Sequence, residues 1–197
     1  MRGMERKSKV ERKTKETDIS LEVNLDGEGI SDIVTGVGFL DHMLTLLSRF
    51  SGVDIAIKGT GDTHVDTHHT VEDTGICLGE AIKKALGDKK GITRFGFSSA
   101  PMDETLINTS LDISGRPLLV FNVPDMKGRE GSFEIGDTKE FLKGFTTHSG
   151  ITLHINFMYG DNLHHINEAI FKSLALALKE AVKVEGTTIP STKGSID

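Results

Sequence analysis

The chain has 197 residues, 37% hydrophobic and 26% charged, with a formal net charge of −6. Length and composition suit one ordinary domain, or two small fused ones, with a substantial buried core. The acidic balance argues against nucleic acid as the main partner, no apolar run is long enough for a membrane span, and a single cysteine, Cys77, can form no intrachain disulfide, which fits a reducing, cytoplasmic compartment.

The first fifteen residues, MRGMERKSKVERKTK, run against the overall charge and read as a solvated, frayed end. No apolar stretch follows them, so they are not a signal peptide. Residues 15–27, KETDISLEVNLDG, alternate apolar and polar and end on a Gly turn signal, which is a strand pattern. Residues 38–57 read as a helix with one apolar face, a stop at Gly52 and a strand, VDIAI. Residues 68–86, HHTVEDTGICLGEAIKKAL, carry a long helical apolar pattern that includes Cys77, with Asp66 or Thr67 as its cap. Trp is absent and Tyr occurs once, so the aromatic core rests on ten Phe.

The series then repeats. Residues 103–115, DETLINTSLDISG, match 15–27 at an offset of 88, with Glu104 on Glu16 and Gly115 on Gly27. Residues 136–155 match 38–57 at 98, with Gly150 on Gly52 and Glu140 on His42. Residues 164–182 match 68–86 at 96, with His164, His165 and Glu168 on His68, His69 and Glu72, and Asp161 or Asn162 as cap. A duplicated chain in which each half reads strands, helix, strands, helix predicts an α/β (α+β) fold whose halves are two-layer sheet-plus-helices units. The halves are 1–93 and 94–197, with no Pro- or Ser-rich linker between them, and together form one functional domain.

The chemistry concentrates in the HHxxE string, which occurs twice at matching places. Residues i and i+3 share a helix face, whereas i and i+1 point about 100° apart. His69 and Glu72 are therefore expected to hold one ion and His68 to reach another, and likewise His165 with Glu168 and His164. Each ion takes a His–Glu pair from one half and a lone His from the other half or another subunit. His42 and Glu140, on the preceding helices, offer one more ligand each. Imidazole and carboxylate without clustered thiolate suit Mn, Fe, Co, Ni or Zn. His64, His148 and His154 read as structural. Arg94 in GITRFG, Arg116 in SGRP, and Ser191, Thr192 and Lys193 in TTIPSTKG lie in turns and loops and suit a phosphate.

The motifs FLDHM, GD-H-D-HHT-ED, RFG, APMDE, SGRP, LHI, HHINEAIFK and the terminal TIPSTKG, in that order from about Thr14 to Gly194, resemble the imidazoleglycerol-phosphate dehydratase family. The resemblance implies a duplicated α/β fold, two Mn²⁺ ions per active site, and a homo-oligomer of typically 24 subunits with active sites between them. It implies dehydration of imidazole glycerol phosphate to imidazole acetol phosphate in L-histidine biosynthesis. The implied metal ligands are His42, His68, His69, Glu72, Glu140, His164, His165 and Glu168. Glu16 matches a catalytic acid/base, and His42 is counted with it at the reacting centre. Arg94, Arg116, Ser191 and Lys193 match phosphate binders, and Lys172 a further substrate contact. Glu140 departs from the His of many relatives, and Leu46 from a Gln that some place near the phosphate. Two rival functions use the same ligands: a two-metal phosphate-ester hydrolase, and a metal-storage oligomer without chemistry, which would need neither Glu16 nor Arg94 nor Lys193.

Overall fold

In a computed structural model describing residues 5–196, eight strands and four helices follow the repeat. The first half holds β1 (Lys7–Lys13), β2 (Thr17–Asn24), β3 (Ser31–Val34), α1 (Gly38–Ser51), β4 (Asp54–Gly61) and α2 (His68–Leu86). The second holds β5 (Phe95–Met102), β6 (Thr105–Asp112), β7 (Leu118–Asn122), α3 (Ile135–Ser149), β8 (Thr152–Tyr159) and α4 (Leu163–Val182). The sheets have orders β1-β2-β4-β3 and β5-β6-β8-β7, each antiparallel except for one parallel edge pair, β3–β4 and β7–β8. The duplicated α/β architecture expected from the sequence is the one observed.

The described part of the basic N-terminal run is not a frayed end. The run's first four residues lie outside the described region, but Lys7–Lys13 pair antiparallel with Thr17's strand from Lys7↔Asn24 to Lys13↔Asp18. Only Val10 of this strand is buried, so an edge strand with one core residue looks like a solvated charge run in the sequence. β2 alternates strictly, with Ile19, Leu21 and Val23 turned inward.

The helices bury the inner face of both sheets and pack on each other across the halves. α2 lies on β1 and β2 and meets α3, while α4 lies on β5 and β6 and meets α1. The α2–α3 contact is close because two glycines carry it. A Cβ on Gly75 would sit 2.3 Å from the Phe141 carbonyl oxygen, and one on Gly79 2.5 Å from that of Phe145. α1 and α3 end as the sequence indicates, on Gly52 and Gly150 in the left-handed region. Asn162 caps α4 by accepting from the His165 amide at 3.2 Å, and Asp66, not Thr67, accepts from the His68 amide at 2.9 Å.

The aromatic core is smaller than ten Phe. Phe133, Phe141, Phe145 and Phe171 are fully buried, but Phe95 and Phe97 project outward from β5, Phe97 74% exposed. Cys77 is buried, and burial pushes its thiol up to about 12, so it is inert packing. Among the described residues no helix is long and apolar enough to cross a membrane.

Candidate metal centre and cationic cradle

The α1–α4 crossing brings together residues 126 positions apart. Asp41 anchors the start of α1 by accepting from the Thr35 amide at 2.9 Å, and the next residue, His42, faces α4. His42 Nε2 lies 2.9 Å from Glu168 Oε1, and His164 Nε2, one turn before Glu168 on α4, lies 3.2 Å from the same oxygen. Phe39 backs the His164 ring edge-on at 5.2 Å. The second carboxylate oxygen accepts from Lys172 Nζ at 2.5 Å. Burial alone would raise the Glu168 pKa, but Lys172 and the two imidazoles outweigh it and hold the carboxyl at about 2.

The ligand atoms of His42, His164 and Glu168 lie within 4.8 Å of one another, two imidazoles and one carboxylate with no thiolate. That donor set fits a divalent first-row metal ion and leaves coordination positions for a substrate. The two halves do meet here within a single chain, but the histidine that crosses is His42 and not the expected His68.

The pairing inside each HHxxE string is the reverse of the expected one. Glu168 pairs with His164, and Glu72 approaches His68 at 3.9 Å, both at i, i+4. Helical side chains lean toward the N-terminus, so the Glu reaches back over the turn holding the first His. The second His points the other way. His69 Nδ1 donates to Asp62 at 3.1 Å while its Nε2 lies 3.8 Å from Glu16. His165 Nδ1 donates to Glu104 at 2.8 Å, with Nε2 3.8 Å from Asp103. These carboxylates, Asp62 first for His69 and Glu104 first for His165, raise the pKa of both rings, and His165 in turn holds Glu104 at about 2.

Glu140 pairs with Lys143 at 3.2 Å, and among the described residues it is not gathered with His68 and Glu72 into a second three-ligand group. His148 donates from Nδ1 to the Gly144 carbonyl at 2.9 Å, a helix-end contact, and His64 is exposed in the loop before α2. Asp62 was missed in the sequence, although the GD that closes β4 seven residues before His69 is its signal.

A second polar site lies elsewhere. Arg94, Ser114, Arg116, Ser191, Thr192 and Lys193 line one cavity of about 410 Å³. Arg94 holds it together: its side chain donates to Asp112 at 2.7 Å and to the Pro190 carbonyl at 2.8 Å, tying the C-terminal loop to the β5–β6 sheet. All five residues that the sequence offers for a phosphate, Arg94, Arg116, Ser191, Thr192 and Lys193, converge here, while Lys172 stays with Glu168. The repeat extends to this corner too: Leu25 N donates to Arg6 O as Ile113 N does to Arg94 O. Arg6 is spent on Asp26 and the Val182 carbonyl, and Glu28 stands at the place of Arg116, so the cavity at the matching corner of the first half mixes carboxylates with its cations.

Two sheet-and-helix halves carrying paired histidine–carboxylate clusters, with Arg94, Arg116 and Lys193 around one cavity, define a duplicated α/β framework with the groups of a metal-dependent enzyme. Residues 35–178 match the imidazoleglycerol-phosphate dehydratase family. The imidazoleglycerol-phosphate dehydratase of Nitrobacter hamburgensis is 50% identical over 194 residues, 97% of this chain and 98% of that one. The crystal structure of the Staphylococcus aureus enzyme superposes with a TM-score of 0.83 at 37% identity, covering 91% of this chain and 99% of that one. That of the Pyrococcus furiosus enzyme in complex with (S)-C348 gives 0.81 at 40% identity, covering 94% and 99%. The chain belongs to the imidazoleglycerol-phosphate dehydratase family.

Proposed function

We propose that this chain dehydrates imidazole glycerol phosphate to imidazole acetol phosphate, a step of L-histidine biosynthesis, using two Mn²⁺ ions per site and residues from neighbouring subunits. Family membership makes it a dehydratase, a carbon–oxygen lyase. The observation that carries the site assignment is the trio His42, His164 and Glu168, drawn from two helices and both halves.

His42, His164 and Glu168 would hold one ion, and His68, Glu72 and Glu140 from the matching elements the other, with His69 and His165 completing them. When bound, the metals supply Lewis-acid stabilisation of negative charge on the substrate's imidazole ring. The chain's own residues do the rest. Glu16 takes the C–H proton from the glycerol carbon and hands it on to the neighbouring hydroxyl, which leaves as water, and the enol product tautomerises to the ketone. Arg94, Arg116, Ser191 and Lys193 hold the phosphate away from the breaking bonds and fix the orientation of the chain between. Lys172, beside Glu168, stands as the cation nearest the reacting end.

Distance supports sharing between subunits. The Arg94 amide donates to Ala181 O at 2.9 Å, so the cradle sits near the C-terminal end of α4. From Glu168 to Ala181 the helix climbs about 20 Å, at roughly 1.5 Å per residue. Three carbons separate ring from phosphate in this substrate, a span below roughly 10 Å, the length of three extended residues. One chain's cradle thus serves another chain's ligands, in a homo-oligomer for which we propose 24 subunits. The outward Phe95 and Phe97, with exposed Met158 and Tyr159, supply apolar surface for such packing.

Subunit mixing tests this. A cradle variant, Arg116→Ala with Lys193→Ala, and a ligand variant, Glu168→Ala, are each expected to be nearly inactive. Reassembled together in equal amounts they should recover about a quarter of parental activity, because a site built from two chains draws both intact parts that often. No recovery in verified mixed assemblies would place cradle and ligands of one site on the same chain.

A further inference from the structure

Each half must fix the ring of its second histidine, and the two halves do so with different carboxylates. In the second half Glu104 does it. Its Oε2 accepts from His165 Nδ1 at 2.8 Å, and its Oε1 accepts from Thr105 Oγ1 at 2.8 Å and the Asn162 amide at 3.3 Å. In the first half the matching Glu16 does not. Asp62, at the end of β4, accepts from His69 Nδ1 at 3.1 and 3.3 Å. Glu16, 55% exposed, lies 3.8 Å from Nε2, and among the described residues its carboxylate makes no hydrogen bond. The backbone locks the two together, since the Asp62 amide donates to the Glu16 carbonyl at 3.1 Å and the Val65 amide to the Asp62 carbonyl at 2.7 Å.

We propose that Asp62 is a positioning residue that holds His69 with its proton on Nδ1 and thereby releases Glu16 from the clamping role its repeat mate Glu104 performs. The proposal rests on the reading of His69 as a metal ligand. A neutral imidazole offers one N–H and one lone pair, and a carboxylate on the N–H fixes which nitrogen is which and makes the other more basic. His42 and His164 also turn Nε2 toward their shared centre, so Nε2 of His69 is the nitrogen the trio's geometry leads one to expect at a metal. Without Asp62, Glu16 is the carboxylate left beside the ring. Docked there as Glu104 docks on His165, it would be spent on orientation and lost as a proton carrier. The duplication thus separates two jobs that an undivided repeat would give to one residue: clamping in the second half, proton transfer in the first.

The test is chelator competition on the Mn²⁺-loaded full-length protein, alongside the melting temperature of the metal-free chain. Asp62→Ala and Glu104→Ala are each expected to weaken Mn²⁺ binding about 10–100-fold, with the metal-free melting temperature of the parent. Glu16→Gln is expected to bind Mn²⁺ as the parent does. Should the alanine variant not fold, Asp62→Asn, which keeps an acceptor for Nδ1–H without the charge, is expected to show a smaller loss of affinity in the same direction. Parent-like Mn²⁺ affinity in the Asp62 variants overturns the proposal, as does an equal loss in Glu16→Gln or a metal-free melting temperature that falls in step with affinity. His69→Ala distinguishes the premise: full Mn²⁺ retention there overturns the ligand reading itself, whereas loss in His69→Ala with retention in Asp62→Ala overturns only the role of Asp62.

Discussion

Glu16→Gln is expected to lower kcat by about 10²–10⁴-fold while metal content, assembly and substrate affinity stay near parental values. Three features lead to this. Glu16 lies 3.8 Å from His69 Nε2, and among the described residues its carboxylate accepts no hydrogen bond, whereas Glu168 is held by two imidazoles and Lys172, and Glu104 by three donors. Glu16 is also exposed at the mouth of the strand, where a substrate can reach it. Finally, glutamine keeps the size of the side chain but cannot take up a proton, so the loss falls on the chemical step. Glu104→Gln is the matched control. Its effect passes through His165 and therefore through metal affinity, and at saturating Mn²⁺ its turnover should approach that of the parent. Steady-state kinetics at saturating Mn²⁺ decide the matter: parental kcat in Glu16→Gln assigns the proton to a different group.

Metal removal is expected to be still more severe. Stripping the protein should lower dehydration by about 10³-fold or more, and Mn²⁺ should restore it, because among the described residues no unpaired cation lies beside the trio to stabilise negative charge on an imidazole ring. Lys172 is the closest cation, and it is already paired with Glu168. The pH dependence follows with a definite sign. Metal and proton compete for the same imidazole nitrogens, and in the metal-free chain the carboxylates beside His69 and His165 hold their protons above the ordinary imidazole range. Protons therefore gain on the metal as pH falls, beginning at mildly acidic pH, and bound Mn²⁺ and activity should decline together. Metal analysis beside the rate assay checks this. Full activity in a sample verified free of metal contradicts the metal-dependent account.

Much of this was legible in the chain because duplication writes each signal twice. The recurrence of HHxxE at equivalent places singled out six ligand candidates, and the match of His42 with Glu140 pointed to the helices preceding them. That a histidine would cross between halves was legible too, but the spacing assigned that role to His68 and His164, whereas in the structure it is His42 that reaches the second-half cluster. What failed was finer geometry. Which His of a pair shares a face with the Glu depends on the backward lean of helical side chains, and spacing alone leaves i+3 and i+4 nearly equivalent. β1 was hidden because its single inward residue, Val10, is flanked by charge, and β3 and β7 because each is a short parallel edge strand. Asp62 was hidden because carboxylates in a loop are common, and only the folded register of β2 against β4, which sets Thr17 opposite Gly61, brings the end of one strand to the start of the other. The cradle was legible residue by residue but not its distance from the ligands, which depends on the length of α4.

Product analysis tests the central claim most directly. The protein is incubated with imidazole glycerol phosphate, with and without Mn²⁺, and the organic product and free phosphate are measured together. The account predicts Mn²⁺-dependent loss of one water, a product that keeps its phosphate and gains a ketone, and no inorganic phosphate. Release of inorganic phosphate with the glycerol chain intact would make the same ligands those of a phosphate-ester hydrolase, and an unchanged substrate in the presence of bound Mn²⁺ would leave only a metal-binding oligomer.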